Sequence, residues 1–150
     1  MPVLDRNRFG EGEDLEYKVS EPQNRDKYLK TVVAFANGRG GKIIFGVKDD
    51  TLEVIGMPKE NIFSTMDDVA NVIIDNCEPK IIPRMSIMSV EDKSLIVVNI
   101  LPGMMTPYYI KSQGTKKGVY LRVAGTTRHA EIYQIQELIM NGSNRSFDQL

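Results

Sequence analysis

The chain has 150 residues, which suits one globular domain with one buried core. Hydrophobic residues make up 41% and charged residues 26% of the chain, and no low-complexity tract occurs, so the composition excludes fibrous and intrinsically disordered proteins. A formal net charge of -1 gives no overall attraction to nucleic acid or to an anionic membrane. Any such partner would therefore have to be held by a local basic surface.

The sequence also argues against membrane insertion, secretion and cysteine chemistry. No run of about 18 apolar residues is present, and residues 1–6 lack the apolar core of a signal peptide, so we expect a cytoplasmic protein. Cys77 is the single cysteine and follows Ile73 and Ile74 in an apolar helical pattern, which predicts a buried core thiol. A nucleophilic Cys77 would need a neighbouring base. His129 is the only histidine, which disfavours a Cys–His site and excludes a histidine-rich metal site.

The first half of the chain predicts two strands around a helix. Leu15, Tyr17 and Val19 alternate with polar residues, which predicts a short, half-buried strand. Apolar residues at helical spacing between 25 and 37 predict a helix that ends at Gly38. The β-branched run 42–47 predicts a core strand, and residues 54–56 predict a short partner strand after a turn at 49–51.

The second half predicts further strands and two more helices. We expect a helix from 64 to 77, strands at 85–90 and 95–101 around a turn, and a pair of strands formed by 108–110 and 119–123. A final helix should run from 130 to 140 and end at Asn141-Gly142, which leaves 143–150 as a frayed tail. The prediction is a single α+β domain over residues 1–142, with about three helices around one mixed sheet.

A group of carboxylates is the first candidate for chemistry. Glu16 lies on the polar face of the first strand, Glu11 precedes it, and Asp49 and Asp50 follow the strand 42–47. If the two strands are neighbours, up to three carboxylates meet at one edge and could hold Mg²⁺ or Mn²⁺, which activates water against a phosphodiester. The alternative is that these are solvated surface acids and that Asp49 and Asp50 are turn residues.

A glycine-rich connection, Asn37-Gly38-Arg39-Gly40-Gly41, is the second candidate. Glycines let backbone N–H groups approach a phosphate closely, and Arg39 would add positive charge. The segment lacks the Gly-Lys-Ser/Thr ending of a Walker A loop, and it leads from a helix to a strand, unlike the glycine turn of dinucleotide-binding folds. These differences disfavour an ATPase. An ordinary tight connection is the alternative.

Separation of charge along the chain is the third and most informative feature. Residues 60–78 carry acids and no Lys or Arg, whereas residues 105–130 carry bases and no acid. Tyrosines in the basic segment could stack on unpaired bases, and strand alternation places Tyr120 and Arg122 on the same face. Solvated loop charge is the alternative. The predicted nucleic-acid-binding residues are Arg39, Lys111, Lys116, Lys117, Arg122, Arg128, Tyr109 and Tyr120.

Several stretches resemble the Schlafen AlbA-type domain, which is often labelled a DNA-binding domain. The resemblance covers roughly residues 10 to 140, and its most specific part runs from 34 to 47, Ala-Phe-Ala-Asn followed by Gly-Gly-Lys-Ile-Ile-Phe-Gly-Val. The other matching stretches are 16–18, 30–33, 49–50 with 54–56, 107–109, and 118–122 followed by 125–128. The resemblance implies an α+β domain with a mixed sheet and a role in DNA binding or transcription regulation.

Vertebrate members of the resembled family include RNA-cleaving enzymes, whose site uses two glutamates five residues apart and a later aspartate. That pattern places the catalytic and metal-binding roles on Glu11, Glu16 and Asp49, with Asp50 as the alternative to Asp49. Gly12 stands where serine is typical in the family. In those enzymes two units form a saddle that holds RNA, which implies a homodimer for a lone unit.

Three functions are consistent with the sequence. The leading one is a nucleic-acid-binding domain, with DNA favoured, that uses the basic segment. The second is a Mg²⁺- or Mn²⁺-dependent endoribonuclease with the Glu/Glu/Asp site. The third is a protein-interaction or dimerisation domain that binds no nucleic acid.

Overall fold

A computed structural model describes residues 2–4, 12–21 and 24–148, the last four of these by their backbone alone. These residues form eight strands, four helices and two short 3₁₀ turns. The 3₁₀ turns are Lys59–Asn61 and Lys111–Gln113. In chain order the strands and helices are β1 (Leu15–Lys18), α1 (Asp26–Ala36), β2 (Gly41–Phe45), α2 (Ile62–Asn76), β3 (Cys77–Glu78), β4 (Arg84–Val90), β5 (Lys93–Ile100), β6 (Tyr109–Ile110), α3 (Gly114–Lys117), β7 (Tyr120–Val123), β8 (Thr126–His129) and α4 (Ile132–Asp148).

The central sheet has four strands in the order β1-β2-β5-β4. The strands β1 and β2 are parallel, and α1 lies between them in the chain, as a parallel pair requires a crossover connection. The other two pairs are antiparallel, and β4 and β5 form a hairpin around the predicted turn. The sheet is therefore mixed.

Both faces of this sheet are covered along the second half of β2. Its residues Ile43, Ile44 and Phe45 are all buried, although successive side chains of a strand point to opposite faces. Ile43 and Phe45 pack with α1 and α2, whereas Ile44 packs with Tyr17 and other residues of a second, smaller core. A continuous apolar run of this kind is typical of a strand that is buried on both sides.

The α+β class and the mixed sheet of a single domain are confirmed, but the prediction of one sheet is wrong. The β-structure is divided into the central sheet and two separate pairs, β3 with β6 and β7 with β8. The predicted pairing of 108–110 with 119–123 does not form. Residues 111–117 fold into a 3₁₀ turn and α3 in place of a hairpin loop, and the Ile110 N–H donates to the carbonyl of Gly118 (3.0 Å), which precedes the second segment.

The final helix is longer than predicted, because α4 continues through Asn141-Gly142 to Asp148. Gly142 lies directly against the backbone of Thr106, and a Cβ at this position would collide with the Thr106 carbonyl oxygen. The Thr106 hydroxyl also donates a hydrogen bond to the Leu138 carbonyl (2.6 Å). This glycine therefore serves close packing and does not end the helix. No helix in the described ranges combines the length and apolarity that a membrane span requires.

The side chain of Asn37, at the end of α1, joins three elements. Its amide donates to the carbonyl oxygens of Tyr108 (2.9 Å) and Tyr120 (3.1 Å), and its side-chain oxygen accepts from the Tyr108 N–H (2.6 Å). Asn37 is 8% exposed, so water does not replace these bonds easily. Asn37 is thus a structural clamp between α1, β7 and the chain that leads into β6.

Replacing Asn37 by alanine should lower the free energy of unfolding by about 2–4 kcal/mol, because it removes three hydrogen bonds and leaves buried backbone groups without partners. Urea denaturation of the variant measures this loss. The matched control is Asn71→Ala on the exposed side of α2, which should change stability little. Equal losses for both variants would contradict the clamp.

Cys77 is 2% exposed, which confirms the predicted core thiol. Burial raises the pKa of Cys77 to about 12, so the thiol stays protonated at pH 8. We expect an alkylating reagent to modify Cys77 at pH 8 only as fast as the protein unfolds. Because the pKa is raised in the folded state, the thiol's contribution to stability is complete below its unfolded value and is lost as pH rises toward 12. Rapid alkylation of the native protein, followed by mass spectrometry, would contradict this expectation.

Candidate nucleic-acid interface

Glu16 lies in β1 and points toward α1, opposite the second core. Its register partner in β2 is Ile43, which packs with α1. The Oε1 atom accepts a hydrogen bond from the Arg122 guanidinium (2.9 Å), and Oε2 accepts one from the Thr31 hydroxyl (2.8 Å). Lys18 Nζ is 3.9 Å from Oε2. Both carboxylate oxygens of Glu16 are therefore engaged inside the protein.

Arg122, in β7, uses every N–H group of its guanidinium within the fold. Besides the bond to Glu16, it donates to the carbonyl oxygens of Gly12 (3.1 and 3.2 Å) and Leu15 (2.9 Å) and to the Thr127 hydroxyl (2.9 Å). The guanidinium carbon lies 5.4 Å from the centre of the Phe35 ring, and 3% of the side chain is exposed. A guanidinium has five N–H donors, so none is left for a phosphate.

The predicted alternation along β7 is correct, but the prediction that Tyr120 and Arg122 are exposed to a ligand is wrong. Tyr120 and Arg122 do share a face, and this face is turned inward. Tyr120 is 7% exposed, its hydroxyl donates to Gln113 (2.8 Å), and its ring lies 4.4 Å from that of His129. Burial also raises the pKa of Tyr120. The charge of Arg122 and the aromatic ring of Tyr120 suggested a strand face that is exposed to a ligand. The sequence alone does not show that an internal carboxylate lies beside Arg122 and neutralises its charge.

The Glu/Glu/Asp site is described only in part, since Glu11 lies outside the described residues. Asp49 and Asp50 are exposed, and Asp50 accepts the Thr51 N–H (2.8 Å), as a turn residue does. In the described part of the chain no three His, Cys, Asp or Glu side chains lie close enough to hold a metal ion. A cation at Glu16 would also have to displace a guanidinium 2.9 Å from the carboxylate. The described residues do not fit a metal centre.

The glycine-rich connection is occupied by its own hydrogen bonds. The N–H groups of Gly38 (3.1 Å) and Gly40 (2.9 Å) both donate to the Phe35 carbonyl. Gly40 has φ +81°, and a Cβ there would lie 2.6 Å from the Ile100 carbonyl oxygen, so glycine is required by the packing. The tight-connection interpretation is the one that the structure supports. Arg39, however, projects into solvent.

The remaining predicted contact residues do not form one continuous surface. Lys116 and Tyr109 line a cavity of about 550 Å³, and Lys111 Nζ is 3.8 Å from the carboxylate of Glu78, which lines the same cavity. Lys117 is exposed on the same short helix as Lys116. Arg128 lines a separate depression beside His129, and Arg39 lines a third, on the central sheet. The basic segment therefore supplies one lysine-rich surface, and its two arginines lie elsewhere.

The sequence patterns did not point to Asn37 as a structural residue or to Lys42 as a surface cation. Lys42 is exposed and lines the same depression as Arg39. Alternation within the run 42–47 was the available signal, because it separates Lys42 and Ile44 from Ile43 and Phe45.

Replacing Arg122 by methionine should lower the free energy of unfolding by about 3–5 kcal/mol, because it leaves the largely buried carboxylate of Glu16 without its partner. Denaturant unfolding checks this value. Lys48→Met breaks the exposed Lys48–Glu53 pair and is the matched control, with an expected loss below about 1 kcal/mol. In the double variant Glu16→Met/Arg122→Met, the loss should be smaller than the sum of the single losses. Additive losses would show that the two side chains are not coupled.

Comparison with known proteins finds similar domains in bacteria. The chain is 36% identical over 70 residues to an uncharacterized ATP-binding protein of Ureaplasma parvum serovar 3, a match that covers 46% of this chain and 20% of the relative. The N-terminal domain of a Nitrosomonas europaea protein named for its relation to the ATP-dependent DNA helicase RecG has a similar fold, with a TM-score of 0.60 and 24% identity over 85% of this chain and 89% of that one.

The DIP2311 protein of Corynebacterium diphtheriae also shares the fold, with a TM-score of 0.63 and 17% identity over 84% of this chain. This chain spans only 23% of the Corynebacterium protein and about a fifth of the Ureaplasma protein. The sequence pattern of the Schlafen, AlbA_2 family matches residues 11–131, most of the chain, including β1, α1, the glycine-rich connection and β7. The chain therefore belongs to the Schlafen AlbA_2 family.

Proposed function

We propose that this domain binds nucleic acid, with DNA as the favoured ligand, through a surface formed by Lys111, Lys116, Lys117 and Tyr109. We call this the lysine surface. The proposal rests on the exposure of Lys116 and Lys117 and on their unpaired charge. Both are exposed on α3, and in the described part of the chain neither forms an ion pair with a carboxylate.

Unpaired lysines on a short exposed helix are suited to phosphate binding, because they neutralise the backbone and release its counterions. The adjoining cavity would add apolar contacts to the binding free energy, because Tyr109, Pro107 and Ile135 line it. A base turned out of its stack could contact this lining. Arg122 contributes indirectly, by holding β7, which follows α3 in the chain, against β1.

The names of the similar proteins are consistent with a role in nucleic-acid biology. The Nitrosomonas domain belongs to a protein named after a DNA helicase, and DNA is favoured here on that basis. The Ureaplasma relative is named as an ATP-binding protein, but we do not extend ATP binding to this chain. The glycine-rich connection has no Walker A sequence, and its Gly38 and Gly40 N–H groups are already bonded to Phe35.

Metal-dependent cleavage is not part of the proposal, because Glu16 is bound by Arg122 and Thr31. The predicted homodimer is compatible with the proposal. A symmetric pair would present two lysine surfaces to one ligand and so raise its apparent affinity. The dimer stays a prediction.

Binding of a labelled duplex DNA, followed by fluorescence anisotropy at several salt concentrations, tests the lysine surface. For three to four phosphate contacts, log affinity should fall with log salt with a slope of about -3. The double variant Lys116→Glu/Lys117→Glu should bind more weakly and show a slope less steep by about 2.

Lys117→Glu and Lys59→Glu form the matched pair of single variants, because both reverse one exposed lysine and Lys59 lies before α2, outside the lysine surface. Only Lys117→Glu should weaken binding. A slope near zero for the wild type, or equal effects of the two single variants, would overturn the proposal.

A further inference from the structure

The outer face of the central sheet, opposite α1, carries an open groove of about 610 Å³. We call it the sheet groove. Its lining includes Arg39 from the α1–β2 connection and residues of all four strands. We propose that the sheet groove binds a single-stranded segment of nucleic acid, at a place distinct from the lysine surface. This inference rests on the proposed nucleic-acid-binding function and assigns a second contact to it.

Two cations, Arg39 and Lys42, line the sheet groove, and a third, Arg84, lies on the same face of the sheet. In the sheet register Lys42 pairs with Asn99, and Asn99 pairs with Arg84, so the three side chains share a face. Since Lys42 and Arg84 are two strands apart, their backbones are separated by about 10 Å. Arg39 lies three residues before Lys42.

Arg39, Lys42 and Arg84 are available to a ligand. All three residues are exposed, and among the described residues none of them forms an ion pair. Arg122 is the contrasting case, because its guanidinium is consumed by the fold. The row of Arg39, Lys42 and Arg84 therefore presents positive charge to solvent from β2 to β4.

The floor of the sheet groove is partly apolar. The next rows of the same face hold Ile44 and Val97, which pair with each other, and Met88. Ile44 is 4% and Val97 8% exposed, so both are buried, and the apolar side chains of the lining that a ligand can reach include Leu101, which is 50% exposed, and the half-buried Met88. Accessible aliphatic and thioether side chains of this kind can pack against the faces of bases without selecting among them.

This combination favours an unpaired strand over a duplex or a free nucleotide. A duplex hides the faces of its bases and would use only the cations, whereas a single strand would use the cations and the floor together. A free nucleotide would need donors that surround its phosphate, and the N–H groups of Gly38 and Gly40 are already bonded. Asp14 lines the β1 side, so its charge directs phosphates toward β2, β5 and β4.

The test compares a labelled single-stranded oligonucleotide of mixed sequence with a blunt duplex of the same sequence, by fluorescence anisotropy. Lys42→Glu and Arg84→Glu should each weaken single-strand binding by about tenfold and change duplex binding by less than about twofold. Both positions are exposed, and matching thermal melts of variant and wild type establish that the fold is intact. Lys59→Glu is the matched control and should change neither affinity.

The outcomes separate this inference from the proposed function. If Lys42→Glu and Arg84→Glu bind the single strand as the wild type does, the sheet groove is not a nucleic-acid site, while the lysine surface stands on its own duplex measurements. Equal losses for single strand and duplex would also overturn the preference for an unpaired strand. A wild type that binds neither ligand would remove both proposals.

Discussion

The ion pair between Glu16 and Arg122 organises the half of the molecule that carries the candidate interface. It joins β1 to β7, which are far apart in the chain, and Thr31 and Thr127 close the network from α1 and β8. A guanidinium with 3% of its side chain exposed is tolerated only because each of its N–H groups has an acceptor. Asn37 completes the arrangement, since it ties the end of α1 to Tyr108 and Tyr120.

This network decides which charges remain for a ligand. It removes Arg122 from the surface and engages the carboxylate of Glu16, which the sequence predicted as a metal ligand. Exposed cations remain at the lysine surface and in the row of Arg39, Lys42 and Arg84 beside the sheet groove. A nearly neutral protein can thus present local positive charge without an overall attraction to nucleic acid.

The predictions from sequence were most accurate where a local residue pattern is compatible with only one type of secondary structure. The helical stripe between 25 and 37 became α1, and the β-branched run at 42–47 became β2. The strands on either side of the turn at 91–93 became the β4–β5 hairpin, because antiparallel neighbours in sequence pair readily. The family was also visible, since the segment from 34 to 47 combines a helix end, the sterically required Gly40 and Gly41, and a core strand.

Contacts between distant segments were decided by the tertiary structure alone. Alternation places Tyr120 and Arg122 on one face of β7, but only the position of Glu16 turns that face inward. Asn141-Gly142 has the composition of a helix end, yet α4 continues because Gly142 fits against Thr106. The strand register likewise places Lys42 and Arg84 in one row across β5, which no local pattern predicts. Periodicity determines which residues of one element share a face, whereas packing partners from elsewhere in the chain determine what that face meets.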